Sequence, residues 1–277
     1  MLKTRIITAV VLLAVLLPAL FWLPPRGWAA FMLLVMGAAA WEWGRLCGLG
    51  GRGAVLLGVL TGASAALLLL YARANAAGEV LVYLAAALWL LAVPAWLHWR
   101  ERVPAGLALA GLGWLMLLAC WYAVWKIREA GALYLLLLMA TVWVADIAAY
   151  FAGKAFGRHK LAPAISPGKT WEGVAGAVVG VQLFALLMQF IEPSAPNYFG
   201  ALAARVGVAG ALLAALLLTG VSVVGDLFES LLKRHAGVKD SSQLLPGHGG
   251  LLDRIDALIS TLPVALALVA LLAFNAG

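Results

Sequence analysis

The chain predicts an all-α, polytopic integral membrane protein, and three observations carry that reading. Hydrophobic residues fill 65% of its 277 positions and charged ones 11%, with a mean hydropathy of +1.02, outside the range of soluble globular domains. Apolar runs of about 20 residues, the length that crosses a bilayer as a helix, recur along it. The runs are continuous, whereas a transmembrane β-barrel is built from short alternating segments.

Taken in order, the first run, 6–23, follows Lys3 and Arg5 and superficially resembles a signal peptide. It is longer than a signal-peptide core and leads into Pro24-Pro25-Arg26 instead of a small-residue cleavage site, so it reads as a retained first span. Further runs follow at 27–46, 54–72, 79–97, 105–125, 132–152, 173–191, 205–225 and 257–274, about nine transmembrane helices in all. Residues 1–130 read as an N-terminal scaffold expected to carry dimer contacts and lipid access, and 131–277 as a C-terminal set around a cytoplasm-facing catalytic cavity. Gly173, Gly176 and Gly180 carry the small-residue spacing of closely packed helices. Trp22, Trp28, Trp96, Trp99, Trp125 and Trp171 fall near segment ends, where amphipathic rings anchor in the headgroup layer. Cys47 and Cys120 stand far apart in apolar sequence without CxxC or Cys/His spacing, so buried, inert thiols are expected.

With alternating spans, only Arg26, Arg73, Lys126, Arg128 and Arg205 fall on the side opposite the N-terminus, leaving fourteen of the nineteen Lys and Arg on the N-terminal side. The positive-inside rule makes that side cytoplasmic, in an inner membrane. The net charge of +7 then reflects loops facing anionic headgroups and an anionic substrate, not nucleic acid.

Both long polar stretches, 153–172 and Asp226–Asp256, fall on this side. The second concentrates five of the twelve carboxylates and four of the nineteen basic groups, which points to phosphoryl-group chemistry at a membrane surface. Asp226, Glu229 and Lys233 share one face of any helix continued past the bilayer. Asp253 and Asp256 stand three apart before the last run. Carboxylates at an apolar boundary need cations, and Mg²⁺ takes one or two of them and completes its shell with water and phosphate; Asp226 and Asp253 would supply that pair. Plain ion pairs, Glu229 with Lys233 and Arg254 with Asp253 or Asp256, are the competing reading, although nothing local neutralises Asp226. Pro246-Gly247-His248-Gly249-Gly250 is a turn whose glycines let backbone N–H groups approach phosphate, or else a simple connector. His248 could donate to phosphate, shuttle a proton or hold a structural hydrogen bond. Gly168-Lys169-Thr170 copies the end of a Walker A loop, but its first glycine would fall at Ala162 or Pro163 and no strand precedes it, so a P-loop is rejected. Lys169 with the hydroxyls of Ser166 and Thr170 could still grip a lipid phosphate or a nucleotide. Asp146, within an apolar run, must face the bundle, as a cation ligand or a partner of Lys154 or Lys160.

Two runs, Ser230-x-x-Lys233-Arg234 and Lys239-Asp240-x-x-x-x-x-Pro246-x-His248-Gly249-Gly250-x-x-Asp253-Arg254-x-Asp256, are joined upstream by Asp146-x-x-x-Tyr150-x-x-Gly153-Lys154 and Ser166-Pro167-x-Lys169-Thr170-x-Glu172-Gly173. Together they resemble the phosphatidate cytidylyltransferase (CDP-diglyceride synthetase) family, closely over the C-terminal half and by hydropathy alone over the first 130 residues. The resemblance implies a Mg²⁺-dependent reaction of CTP with phosphatidate, giving CDP-diacylglycerol and pyrophosphate in phospholipid biosynthesis. It implies a homodimer, and a potassium ion beside the Mg²⁺. Carried over by motif position, Asp226 and Asp253 are the favoured metal ligands with Asp256 nearby, and Asp146 is a further candidate ligand from its place in the apolar run. Lys233, Arg234, Lys239, Asp240, His248 and Arg254 are the catalytic set, and Ser166, Lys169, Thr170, Glu172, Gly249 and Gly250 bind substrate.

An ion-coupled transporter using Asp146 and Asp226 is the main rival, yet the polar groups gather at one surface and no internal repeat is evident. A CDP-alcohol phosphotransferase would need a DG-x-x-AR…G-x-x-x-D-x-x-x-D pattern, which is absent.

Overall fold

Apolar surroundings offer a backbone no water to bond, so each long run folds as a helix that satisfies its own N–H and C=O groups. The computed structural model describes residues 2–71, 74–99, 103–191 and 196–274. Helices α1 (Leu2–Trp22), α2 (Pro25–Leu46) and α3 (Gly51–Leu70) come first. Helix α4 (Ala74–Ala87) runs through a π-helical turn (Leu88–Ala92) into α5 (Val93–His98). Pro94, in the first turn of α5, has no N–H to return to that stretch, and the wider turn makes room for its ring. Gly131, at φ 145°, separates α6 (Gly106–Ala130) from α7 (Ala132–Phe156). Beyond it come α8 (Trp171–Ile191), α9 (Tyr198–His235) and α10 (Leu252–Phe274).

Each expected apolar run thus lies in a helix, counting α4 to α5 as one. Among the described residues seven helices are long and apolar enough to cross a membrane; the apolar part of α1, Ile6–Trp22, is shorter, and α2 is not one of the seven. The stretch 153–172 is not a plain loop. It holds an antiparallel hairpin of β1 (Lys160–Ala162) and β2 (Ser166–Thr170), with Lys160 opposite Thr170 and Ala162 opposite Ser166. Helix α9 starts at Asn197, whose side chain accepts a bond from Gly200 N at 3.0 Å, breaks at Gly207 and then continues unbroken through Asp226 to His235.

Small residues set the helix spacing near the polar end. A Cβ on Gly176 would meet Ala152 Cβ at 2.3 Å, and one on Gly180 would meet Ala148 Cβ at 2.7 Å, so α7 and α8 touch backbone to backbone. Gly225 does the same for α9 and α10: its Cβ would fall 2.3 Å from Ser260 Oγ.

One continuous core runs through both halves of the chain. Buried indoles are tied by hydrogen bonds, Trp43 to Leu109 O and Trp121 to Ala29 O, each at 2.9 Å, while Val55, Leu183 and Phe190 face outward, as lipid allows. Trp22, Trp99 and Trp171 are exposed as expected of anchors. Trp28 is not: it is buried, and Trp96 stacks on Phe228, so both fill the core. Both cysteines are buried and free.

The alternation of ends also appears. Arg26, Tyr71, Lys126 and Glu129 line one recess. At the other end Thr8 donates to Pro246 O at 2.8 Å, Glu42 reaches residues 241–252, and the hairpin meets α9.

Candidate active site

The hairpin leans on the end of α9, and that contact brings the two polar stretches together. Arg234 Nε donates to Ile165 O in the hairpin turn at 3.1 Å and its Nη1 to Val238 O at 3.5 Å. Lys169, on β2, sets its ammonium 2.5 Å from Asp226. The hairpin base is fixed by Glu172, which accepts from His159 N at 3.2 Å and meets His159 Nδ1 at 2.6 Å. Thr170 is buried, and its hydroxyl accepts from Gly173 N at 3.1 Å, capping α8.

Asp146 on α7, Asp226 on α9 and Asp256 on α10 lie within electrostatic range of one another and of Lys169, and Lys169 pairs with Asp226. Asp146 and Asp226 line a cavity of 560 Å³ between α7, α8, α9 and the hairpin, together with Lys154, Ser166 and Lys169. Neither Lys154 nor Lys160 forms an ion pair with Asp146; Lys154 lies over the Tyr150 ring instead.

Asp253 faces a different set of groups. One oxygen meets Lys233 Nζ at 2.6 Å; the other accepts from Ser241 N and Ser241 Oγ, both at 2.9 Å, and from Gly250 N at 2.7 Å. Lys233 also contacts buried Glu229, as the i,i+4 spacing suggested. Arg254 pairs with neither neighbouring aspartate: Nε and Nη2 both donate to His248 O, at 3.1 and 2.8 Å. Lys239, Asp240, His248, Gly249 and Arg254 border a second polar cavity of 720 Å³. The Gly249-Gly250 pair makes room for side chains. A Cβ on Gly250 would fall 2.0 Å from Ser241 Oγ and 2.7 Å from Glu42, while Gly249 adopts φ +82° against Asp253.

Sequence reasoning passed over Glu42. This carboxylate on α2 is fully buried and accepts four bonds: from Ser241 Oγ (3.0 Å), Ser242 Oγ (2.5 Å), Leu251 N (2.9 Å) and Leu252 N (2.6 Å). It sits at the N-terminus of α10, where free amides and the helix dipole favour a negative charge. Ser241 Oγ touches both Glu42 and Asp253, so α2 helps to aim Asp253. The signal was present as a carboxylate inside the apolar run 27–46, which is costly unless it is used.

The arrangement fits a divalent cation. Asp146, Asp226, Glu229, Asp253 and Asp256 face Lys169, Lys233 and Arg254, an excess of hard oxygen donors over cations. Among the described residues no three His, Cys, Asp or Glu side chains stand at ligating spacing; Mg²⁺ commonly takes one or two protein carboxylates and completes its shell with phosphate and water.

Fold and site together define a helical membrane protein that gathers carboxylates and basic side chains at one end of its bundle. The profile of the cytidylyltransferase family matches residues 3–272, and the chain belongs to that family. A protein of Pseudomonas aeruginosa named phosphatidate cytidylyltransferase is 43% identical over 280 residues, spanning 97% of each chain. One of Brucella suis with the same name is 38% identical over 267 residues, spanning 94% of this chain and 90% of that one. Another so named, from Thermotoga maritima, is 42% identical over 138 residues, about half of each chain. These relationships give the transporter reading no support.

Proposed function

We propose that the protein transfers the cytidylyl group of CTP to phosphatidate, forming CDP-diacylglycerol and pyrophosphate. The observation that carries the reading is the Lys169–Asp226 pair in a cavity that Asp146 also lines, with a second polar cavity edged by Lys239, His248 and Arg254, in a chain whose relatives bear that enzyme's name.

A phosphatidate oxygen attacks the α-phosphorus of CTP; the new P–O bond forms as the bond to the bridging oxygen breaks, and pyrophosphate leaves with that electron pair. The phosphatidate phosphate is already anionic near neutral pH, so the task is to bring mutually repelling anions together and stabilise the leaving charge. Lys239, Arg254 and His248 hold phosphate groups, and Lys169 with Ser166 holds those entering the first cavity. Lys233 and Ser241 fix Asp253, while Arg234 and Glu172 lock the hairpin. Asp226 and Asp256, with Asp146 beside them, would hold Mg²⁺, and K⁺ is the second ion of this reading. When bound, the metal neutralises charge on the phosphates. The site faces the cytoplasm, as the fourteen basic residues of that side suggest, and the working unit is a homodimer.

The test is pyrophosphate release by purified protein in detergent with phosphatidate and Mg²⁺, offered CTP or ATP in parallel. Release with CTP alone, dependent on both lipid and metal, is expected. No release from folded protein with either nucleotide would overturn the reading.

A further inference from the structure

A cavity of 200 Å³ lies between α1, α2, α6, α7 and α10, and nearly all its walls are apolar. Leu16 of α1, Met32 and Met36 of α2, Met139 of α7 and Leu258 of α10 form most of its length. From Arg254 to Leu262 on α10 it follows eight residues of helix, about 12 Å, close to the apolar depth of one leaflet at about 15 Å. Three of the chain's six methionines line it, and flexible thioethers suit a wall that must fit a mobile chain.

Its two openings set what it can take. Val15, half-exposed on the outer surface, borders the slot and gives it a side facing lipid. At the polar end Arg254 and Leu245 border both this slot and the phosphate-suited cavity of Lys239 and His248. An apolar cavity excludes water while admitting hydrocarbon. A ligand with one anionic end and one hydrocarbon end matches both mouths.

We propose that this slot binds one acyl chain of phosphatidate, entering past α1, while Arg254 at its inner mouth holds the lipid's phosphate. The inference rests on the reaction proposed above and adds where the lipid lies. Leu16→Trp and Met139→Trp fill the slot from α1 and α7, both at apolar lining positions. Displacing two or so buried methylenes should raise KM for dioleoyl phosphatidate about tenfold, with KM for CTP and turnover of short-chain dihexanoyl phosphatidate unchanged. Equal effects on long and short chains, or none on either, would overturn the proposal. Native mass spectrometry of the detergent-solubilised protein reads binding without turnover. Wild type should retain dioleoyl phosphatidate over phosphatidylcholine, and Met139→Trp should not. Equal retention by variant and wild type, or equal retention of both lipids, defeats the slot whatever the turnover. Selective retention by a protein that releases no pyrophosphate would defeat the reaction and leave the slot standing.

Discussion

Asp226 is held by a cation from a different element, Lys169 at 2.5 Å, and Asp253 by Lys233 together with three donors from the loop before α10. Asp226→Asn keeps the shape and removes the charge that a cation needs, so turnover should fall by at least about 100-fold while the protein still elutes as one folded species in detergent. Asp253→Asn should act similarly, because it removes one of the two carboxylates that hold Lys233. Pyrophosphate release read beside size-exclusion chromatography checks both; full activity in the pair would remove the carboxylates from the chemistry. Glu42→Gln leaves one acceptor oxygen for four donors and sets an amide N–H against them, a loss of about 1–3 kcal/mol. A lower melting temperature with reduced turnover is the expected result. Of these partnerships only Glu229 with Lys233 was legible in the sequence, because only it is local. Lys169 with Asp226 and Glu42 with Ser241 join residues far apart in the chain, and spacing cannot reveal such pairs.

The helices depend on glycines where they carry the site. Gly225 lets α9 approach α10 one residue before Asp226, and its missing Cβ leaves room for Ser260 and the Asp256 carbonyl. Gly225→Val should push α9 from α10 and cost about 1–3 kcal/mol, with activity lost alongside stability in thermal melts. Gly220→Ala, five residues earlier with open space around it, should be tolerated. The apolar runs marked in the sequence all became helices, since continuous hydrophobicity leaves the backbone little alternative. The hairpin was not legible: β1 has three residues, β2 contains Pro167 and Gly168, and no alternating pattern marks either strand. Its pairing is imposed by the closely packed helices on both sides and by the Glu172–His159 contact.

Across the whole molecule, the two polar ends make opposite predictions for labelling. With Cys47 and Cys120 buried, a single exposed cysteine reports its own side. Gln243→Cys should react with an impermeant maleimide only when the cytoplasmic face is opened, and Glu129→Cys only from outside; the reverse pattern would invert the orientation. Which ends share a side could be read by counting spans, and the structure assembles the same loops at the same ends. The link between the halves could not, because the first 130 residues offered hydropathy and few motifs. That link bears on how the protein is made. Glu42 leaves the ribosome roughly 200 residues ahead of Ser241, Ser242, Leu251 and Leu252, which supply its four hydrogen bonds. During synthesis α2 therefore carries an unmatched carboxylate near its end until the last loop is threaded into place. A nascent chain cut short before that loop leaves Glu42 without these donors, so the loop before α10 and the first residue of α10 complete the packing of α2.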